Sequence, residues 1–260
     1  MTRYAAMFQR CAAAGEGAFG AFLMLGDPDF STSATLLDAL VEGGADMVEL
    51  GIPFSDPVAD GPVIQAAAIR ALGAGVRTRH CLELVTAFRS RHPEVPIGIL
   101  TYANIVAARG VETFCAELAA AGVDSLLVAD VPSIEAAPYA AAARAAGVDL
   151  VMIAAPNTPV ATLETLAAMS SGYTYCVARA GVTGADAELA LDHAPLFAAL
   201  RDAGAPPPVL GFGISSPDQV GQALRSGAAG VISGSAIVAK VSDGAGAVRD
   251  FVAAMKAATR

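Results

Sequence analysis

The sequence predicts a (β/α)8 barrel, and three observations carry that reading. The first is size: 260 residues with 55% hydrophobic side chains suit one large barrel core, and no Gly/Ser linker or shift in composition divides residues 1–260 into two domains. The second is a phrase that occurs four times, in which a helix end runs through glycine into a short apolar strand: Gly44-Ala45-Asp46-Met47-Val48, Gly122-Val123-Asp124-Ser125-Leu126, Gly147-Val148-Asp149-Leu150-Val151 and Gly227-Ala228-Ala229-Gly230-Val231. Glycine supplies the left-handed residue that closes a helix, and a strand apolar on both faces belongs to a parallel sheet covered by helices. The third is that further strands fit at 20–25, 97–100, 173–177 and 209–212, which completes eight βα units. A doubly wound open sheet is the alternative that the same units allow.

The elements follow in order. Tyr4, Met7, Phe8 and Cys11 recur at helical spacing beside Arg3 and Arg10, with no long apolar core and cleavage site behind them, so the chain starts with a short amphipathic helix and no targeting signal. Cys81, Leu84, Val85 and Phe88 form the apolar face of one later helix, and Val111, Phe114, Cys115 and Leu118 that of another. Thr158 precedes Pro159 at a first helical position, and Ser216-Pro217-Asp218-Gln219 combines such a proline with a capping box. The glycines within 242–246 interrupt the last helical region.

Charge removes several function classes. Sixteen basic against 25 acidic side chains leave a net charge of −9, and Lys240 and Lys256 are the only lysines. No basic stripe is available for a nucleic-acid backbone or an anionic membrane. Mean hydropathy is +0.54, yet the longest uncharged run, 203–217, falls short of the roughly 18–20 residues that span a bilayer and contains Pro206-Pro207-Pro208. Cys11, Cys81, Cys115 and Cys176 form no CxxC pair and read as reduced core thiols, which points to the cytoplasm.

Chemistry is sought where barrel strands end. In Met47-Val48-Glu49-Leu50-Gly51 the alternation sends Glu49 to the lining side with Met47 and Gly51; desolvation there raises a carboxyl pKa and suits it to proton transfer, while a hydrogen-bonded structural glutamate is the competing reading. The loop that follows holds Asp56 and Asp60 between prolines, and is either a functional loop or a stiff solvated turn. Glycines cluster in Gly211-Phe212-Gly213-Ile214-Ser215 and Ser233-Gly234-Ser235, after the last two strands; the second opens a helix, so backbone amides there suit a phosphate. His80, His92 and His193 sit at no strand end, so no metal cluster is supported, and Lys240 and Lys256 lie too late for a Schiff base inside the barrel. There is no GxSxG and no Cys/His pair for nucleophilic catalysis.

At this point the motifs resemble those of the tryptophan synthase alpha chain family. The strongest is the run from Val48 through Glu49-Leu50-Gly51-Ile52-Pro53-Phe54-Ser55-Asp56-Pro57-Val58-Ala59-Asp60 to Gly61-Pro62, with two carboxylates in fixed register. Leu25-Gly26-Asp27-Pro28, Tyr102-Ala103-Asn104, Val128-Ala129-Asp130-Val131-Pro132, Arg179-Ala180-Gly181-Val182-Thr183-Gly184 and Gly234-Ser235 extend the resemblance over essentially the whole chain.

The resemblance implies retro-aldol cleavage of indole-3-glycerol phosphate to indole and glyceraldehyde 3-phosphate, the protonated indole ring acting as electron sink in place of a metal or lysine imine. It implies Glu49 as general acid and base and Asp60 as partner of the indole nitrogen. Phe22, Leu100, Leu127, Ile153 and Ile232 would wall the indole, with Tyr175 near Glu49 and Thr183 meeting Asp60 when a lid at 179–193 closes. Gly184, Gly213, Gly234 and Ser235 would cradle the phosphate.

It also implies a beta-chain partner in a heterotetramer of two alpha and two beta chains. That partner would carry pyridoxal phosphate, receive the indole and dock on Pro53, Phe54, Asp56, Asn104, Asp130, Pro132 and Glu135, with allosteric coupling between the subunits. The alpha chain itself would hold no cofactor. Two other readings compete: a catalytically silent regulatory subunit binding the same ligands, and a metal-free phosphosugar isomerase on the same barrel.

Overall fold

Each of the four repeated glycines adopts the left-handed conformation that the sequence requires, with φ of 94° at Gly44, 85° at Gly122, 74° at Gly147 and 106° at Gly227. The computed structural model describes residues 1–177 and 193–260. Its strands are β1 (Ala18–Met24), β2 (Met47–Gly51), β3 (Ile97–Thr101), β4 (Ser125–Val128), β5 (Asp149–Leu150), β6 (Ile153–Ala154), β7 (Thr174–Val177), β8 (Pro208–Gly211) and β9 (Gly230–Ser233). They form one sheet in the order β5-β4-β3-β2-β1-β9-β8-β7-β6, parallel at every pairing.

The two ends of that order are consecutive in the chain. Val151 donates its amide to Leu126 and Met152 accepts from Tyr175, at 2.9 and 3.0 Å, so one interrupted strand touches β4 with its first half and β7 with its second. This closes a (β/α)8 barrel and removes the open sheet from consideration. The sequence reads 149–153 as a single strand; the break at Val151 and Met152 lets it change partners.

Among the described residues the helices are α1 (Arg3–Ala13), α2 (Phe30–Glu42), α3 (Pro62–Gly73), α4 (Thr78–Arg91), α5 (Ala103–Ala107), α6 (Val111–Ala121), α7 (Ala137–Ala146), α8 (Val160–Met169), α9 (Ala194–Asp202), α10 (Pro217–Arg225), α11 (Ser235–Val238) and α12 (Ala245–Ala257). Helices α2, α4, α6, α7, α8, α9, α10 and α12 make the outer layer, and their buried faces include Cys81, Leu84, Val85 and Phe88 on α4 and Phe114, Cys115 and Leu118 on α6. Ser216 and Gln219 complete the capping box at α10.

One local expectation changes and another is met. Pro159 is the N-cap of α8, with extended backbone, and the Thr158 hydroxyl instead accepts from Ala155 N at 2.9 Å. The last helical region is broken: a 3-10 turn at Val241–Asp243 ends at Gly244, whose φ of 90° a helix cannot continue through, and α12 begins after it.

Helix α1 closes the N-terminal end of the barrel. Its Tyr4, Met7 and Cys11 are buried, and the Tyr4 hydroxyl shares a 2.8 Å hydrogen bond with Ser125 Oγ inside the ring. Gly98 makes room for this pair: a Cβ there would stand 2.9 Å from Ser125 Oγ and 3.2 Å from the Tyr4 hydroxyl. No helix among the described residues is long and apolar enough to cross a membrane.

Candidate active site

The strand register decides what faces the barrel axis. Phe22 lies opposite Glu49, Glu49 opposite Gly98, Gly51 opposite Leu100, and Leu100 opposite Leu127. Glu49 therefore sits in the lining, 3% exposed, and accepts a hydrogen bond from the Tyr173 hydroxyl at 3.1 Å. Burial pushes its carboxyl up to about 8, and the Tyr173 bond pulls weakly the other way. The Tyr173 ring in turn leans on Tyr4, 5.2 Å between centroids, so the base of the site rests on the helix that plugs the barrel.

Asp60 comes from the loop after β2. Its amide donates to Pro57 O at 3.1 Å, and its own carbonyl accepts from Gln65 Nε2 on α3 at 2.6 Å, which fixes the loop end against the helix it precedes. The carboxylate is 8% exposed and accepts from the Tyr102 hydroxyl. Burial pushes it up to about 6, opposed by that bond.

Both carboxyls line one cavity, with Phe22, Leu100, Tyr175 and Ile232 as its apolar and aromatic wall. Gly213, Gly234 and Ser235 line it too, beside Ser215 and Ala236, and among the described residues no basic side chain lines it. The loops after β8 and β9 are tied together, because Ser233 Oγ donates to Ile214 O at 2.7 Å, and Gln219 holds the amide of Ser215 at 2.7 Å. Ser235 opens α11, as the sequence indicates. Gly211 is needed where it stands: a Cβ there would run into the hydroxyl and ring of Tyr175.

Other predicted residues fall elsewhere. Leu127 is buried beside Leu100 without lining this cavity, and Ile153 faces a neighbouring cavity with Val128, Asp130 and Tyr139, because the strand is broken just before it. Thr183, Gly184 and residues 179–192 of the segment read as a lid lie outside the described residues; His193, the last of that segment, is buried as the N-cap of α9. Of the seven residues expected to meet a partner, Pro53 is buried and Phe54 half-buried, while Asp56, Asn104, Asp130, Pro132 and Glu135 are exposed, in the segments that follow β2, β3 and β4, Asn104 within α5 and Glu135 in a 3-10 turn at Ser133–Glu135.

Sequence reasoning assigned no role to Tyr173, Tyr102, Ile64 or Phe212. Tyr173 was within reach, since it stands two residues before Tyr175 and shares its face. Phe212 has φ of 56°, a left-handed residue between glycines, and its ring meets Tyr175 edge-on at 5.6 Å. Tyr102 belongs to a recognised motif but acquires its partner only through folding.

Elsewhere the reactive side chains are quiet. The four cysteines are buried, and burial pushes Cys81 and Cys176 up to about 12. Lys256 bridges Asp46 and Glu16 at 2.8 and 2.9 Å at the opposite end of the barrel, and Lys240 lies 3.9 Å from Asp243. Among the described residues no group of three His, Cys, Asp or Glu could hold a metal ion.

Fold and cavity together define a barrel enzyme of acid–base type, whose substrate has an apolar body and an anionic end. The comparisons with known proteins agree. The family model of the tryptophan synthase alpha chain matches residues 8–260. The alpha chain of Shewanella amazonensis is 50% identical over the whole of both chains, and that of Escherichia coli 48%. Among solved structures, Mycobacterium tuberculosis tryptophan synthase superposes with a TM-score of 0.91 at 33% identity, covering 100% of this chain and 98% of that one. The chain belongs to the tryptophan synthase alpha chain family, and is a lyase that cleaves indole-3-glycerol phosphate to indole and glyceraldehyde 3-phosphate in tryptophan biosynthesis.

Proposed function

We propose that Glu49 and Asp60 divide the cleavage between them, with the cavity they share as the substrate site. The observation that carries this reading is the separation of their pKa values, about 8 for Glu49 and about 6 for Asp60, within one pocket. Near neutral pH Glu49 is then a carboxylic acid and Asp60 a carboxylate. Glu49 gives its proton to carbon 3 of the indole, and the ring becomes an acceptor for the electrons of the carbon–carbon bond. Asp60 accepts a hydrogen bond from the indole N–H and stabilises the positive charge that develops there. As the bond breaks, the Glu49 carboxylate takes the proton of the side-chain hydroxyl, whose carbon becomes the aldehyde. The proton lost from oxygen replaces the one given to carbon, and Glu49 returns protonated.

Phe22, Leu100 and Ile232 enclose the indole, Tyr175 braces the wall beside Glu49, and Gly213, Gly234 and Ser235 offer amides and one hydroxyl to the phosphate. The chain does this with its own side chains and no cofactor. The family acts with a tryptophan synthase beta chain. The exposed residues Asp56, Asn104, Asp130, Pro132 and Glu135, in the segments after β2, β3 and β4, form the docking face of a heterotetramer in the cytoplasm, pyridoxal phosphate belonging to the partner.

Steady-state release of indole from indole-3-glycerol phosphate, alone and with a beta chain, tests the reading. The pH profile of kcat/KM is expected to be a bell with limbs near 6, where Asp60 must ionise, and near 8, where Glu49 loses its proton. A flat profile between 5 and 9 would remove this assignment of roles.

A further inference from the structure

Tyr102 touches both ends of the loop that carries Asp60. Its ring stacks on Phe54 near the start of that loop, 5.3 Å between centroids and 30° between planes. Its hydroxyl oxygen accepts from the Ala59 amide at 3.3 Å near the end of the loop, and its hydroxyl proton goes to the Asp60 carboxylate. It stands at the junction of β3 and α5, with extended backbone as the N-cap, and is 2% exposed. The ring is thus held by the barrel and by Phe54, and the direction of the hydroxyl is fixed by the Ala59 amide, which occupies an oxygen lone pair and leaves the O–H to point at Asp60.

We propose that Tyr102 is a positioning residue for the cleavage, one that aims the Asp60 carboxylate into the cavity and keeps it ionised. The inference rests on the reading of Asp60 as the partner of the indole nitrogen. Its physical basis is the imbalance at Asp60. Burial favours the neutral acid, and a neutral carboxyl has less charge to set against the indole nitrogen. Among the described residues no cation lines the cavity, and there the hydrogen bond donated to the carboxylate is the compensation at hand.

Burial and the neighbouring Asp60 push the Tyr102 phenol upward, with Asp130 adding in the same direction, so the phenol stays protonated and remains a donor throughout the working range. The other titratable groups facing Asp60 are Glu49 from β2 and Tyr175 from β7, which share its cavity, and neither supplies a positive charge.

The test is the pH profile of kcat/KM for wild type, Tyr102→Phe and Asp60→Asn, with urea midpoints measured alongside. Tyr102→Phe keeps the ring and its stack on Phe54 and removes only the donor. The acid limb is expected to move up from near 6 by about one pH unit, with the alkaline limb unmoved. Activity would fall about fifteenfold at pH 6 and only about threefold at pH 8, with the urea midpoint close to wild type. Titration of the Asp60 carboxyl by carbon NMR in the ligand-free chain should show the same displacement.

An unmoved limb with an equal loss at every pH would make Tyr102 structural only and overturn the proposal. Asp60→Asn separates this from the parent reading. If that variant kept wild-type activity or its acid limb, Asp60 itself would be misassigned, whatever Tyr102→Phe did. Phe54→Leu, which frees the ring and keeps the hydroxyl, is expected to move the limb in the same direction by less, and serves if Tyr102→Phe folds poorly.

Discussion

Asp46 and Asp124, at the N-terminal end of the barrel, and Glu49 and Asp60, in the cavity, are compensated in opposite ways. At the N-terminal end Asp46 accepts from Phe19 N at 2.9 Å and pairs with Arg10 and Lys256. Asp124 accepts from Ile97 N at 2.8 Å and pairs with Arg3 and Arg89 at 2.8 and 2.6 Å. Each caps the first amides of a neighbouring strand and has cations on the other side. In the cavity Glu49 and Asp60 have one tyrosine hydroxyl apiece, and both are pushed upward by burial. Asp46 and Asp124 are compensated by cations and hold the fold; Glu49 and Asp60 are left undercompensated, which raises both pKa values at a cost in stability.

The contrast is broken most directly by exchanging the damage. Glu49→Gln is expected to lower kcat for indole release by about a thousandfold or more, while binding of a substrate analogue and the urea midpoint near pH 7 are retained. Asp124→Ala should do the reverse. It leaves Arg3 and Arg89 facing each other and the Ile97 amide without its acceptor, and is expected to cost roughly 3 kcal/mol in urea unfolding, with near-normal kcat in the fraction that stays folded. If both variants lost activity and stability together, the division between the two pairs would not hold.

The pH dependence of stability sharpens the same point. Glu49 has an ordinary value of 4.5 and a folded value of about 8. Between these the folded chain keeps a proton that the unfolded chain has released, so wild-type stability falls as pH rises through that window, by no more than about 1.4 kcal/mol per pH unit. Glutamine cannot ionise, and Glu49→Gln should overtake wild type in urea midpoint as pH rises from 5 to 8. A difference that is constant over this range would mean that Glu49 is not desolvated in solution.

How much of this was legible in the sequence follows the same division. The lower aspartates stand inside the repeated phrase, and the phrase revealed the barrel because glycine and an apolar strand are local requirements. That Asp46 and Asp124 cap neighbouring strands was not legible, since their cations Arg10, Lys256, Arg3 and Arg89 arrive from remote parts of the chain. Glu49 was visible as a charge that breaks an apolar alternation, and Asp60 through its loop motif. Tyr173 could be placed on the lining face by its spacing from Tyr175, but its bond to Glu49 and that of Tyr102 to Asp60 were not legible, because a tyrosine in an apolar run carries no sign of where its hydroxyl ends. The break between β5 and β6 escaped for a related reason: Leu150 to Ile153 is uniformly apolar, and only ring closure makes the strand change partners.

The smallest expected effect tests how redundant the lower compensation is. Lys256 lies in α12 near the end of the chain and bridges Asp46 to Glu16, joining the last helix to β2 and to the residues that follow α1. Lys256→Met removes the ammonium and keeps the aliphatic stem. Asp46 would still have Arg10 at 3.2 Å and the Phe19 amide, and Glu16 would still have Arg260 at 2.9 Å. Neither carboxylate becomes unpaired, so the loss in unfolding free energy should be about 1 kcal/mol, well below that of Asp124→Ala, with kcat for indole release unchanged. A loss as large as that of Asp124→Ala would show that Arg10, whose side chain is 57% exposed, contributes little, and that Asp46 depends on the half-buried Lys256 alone.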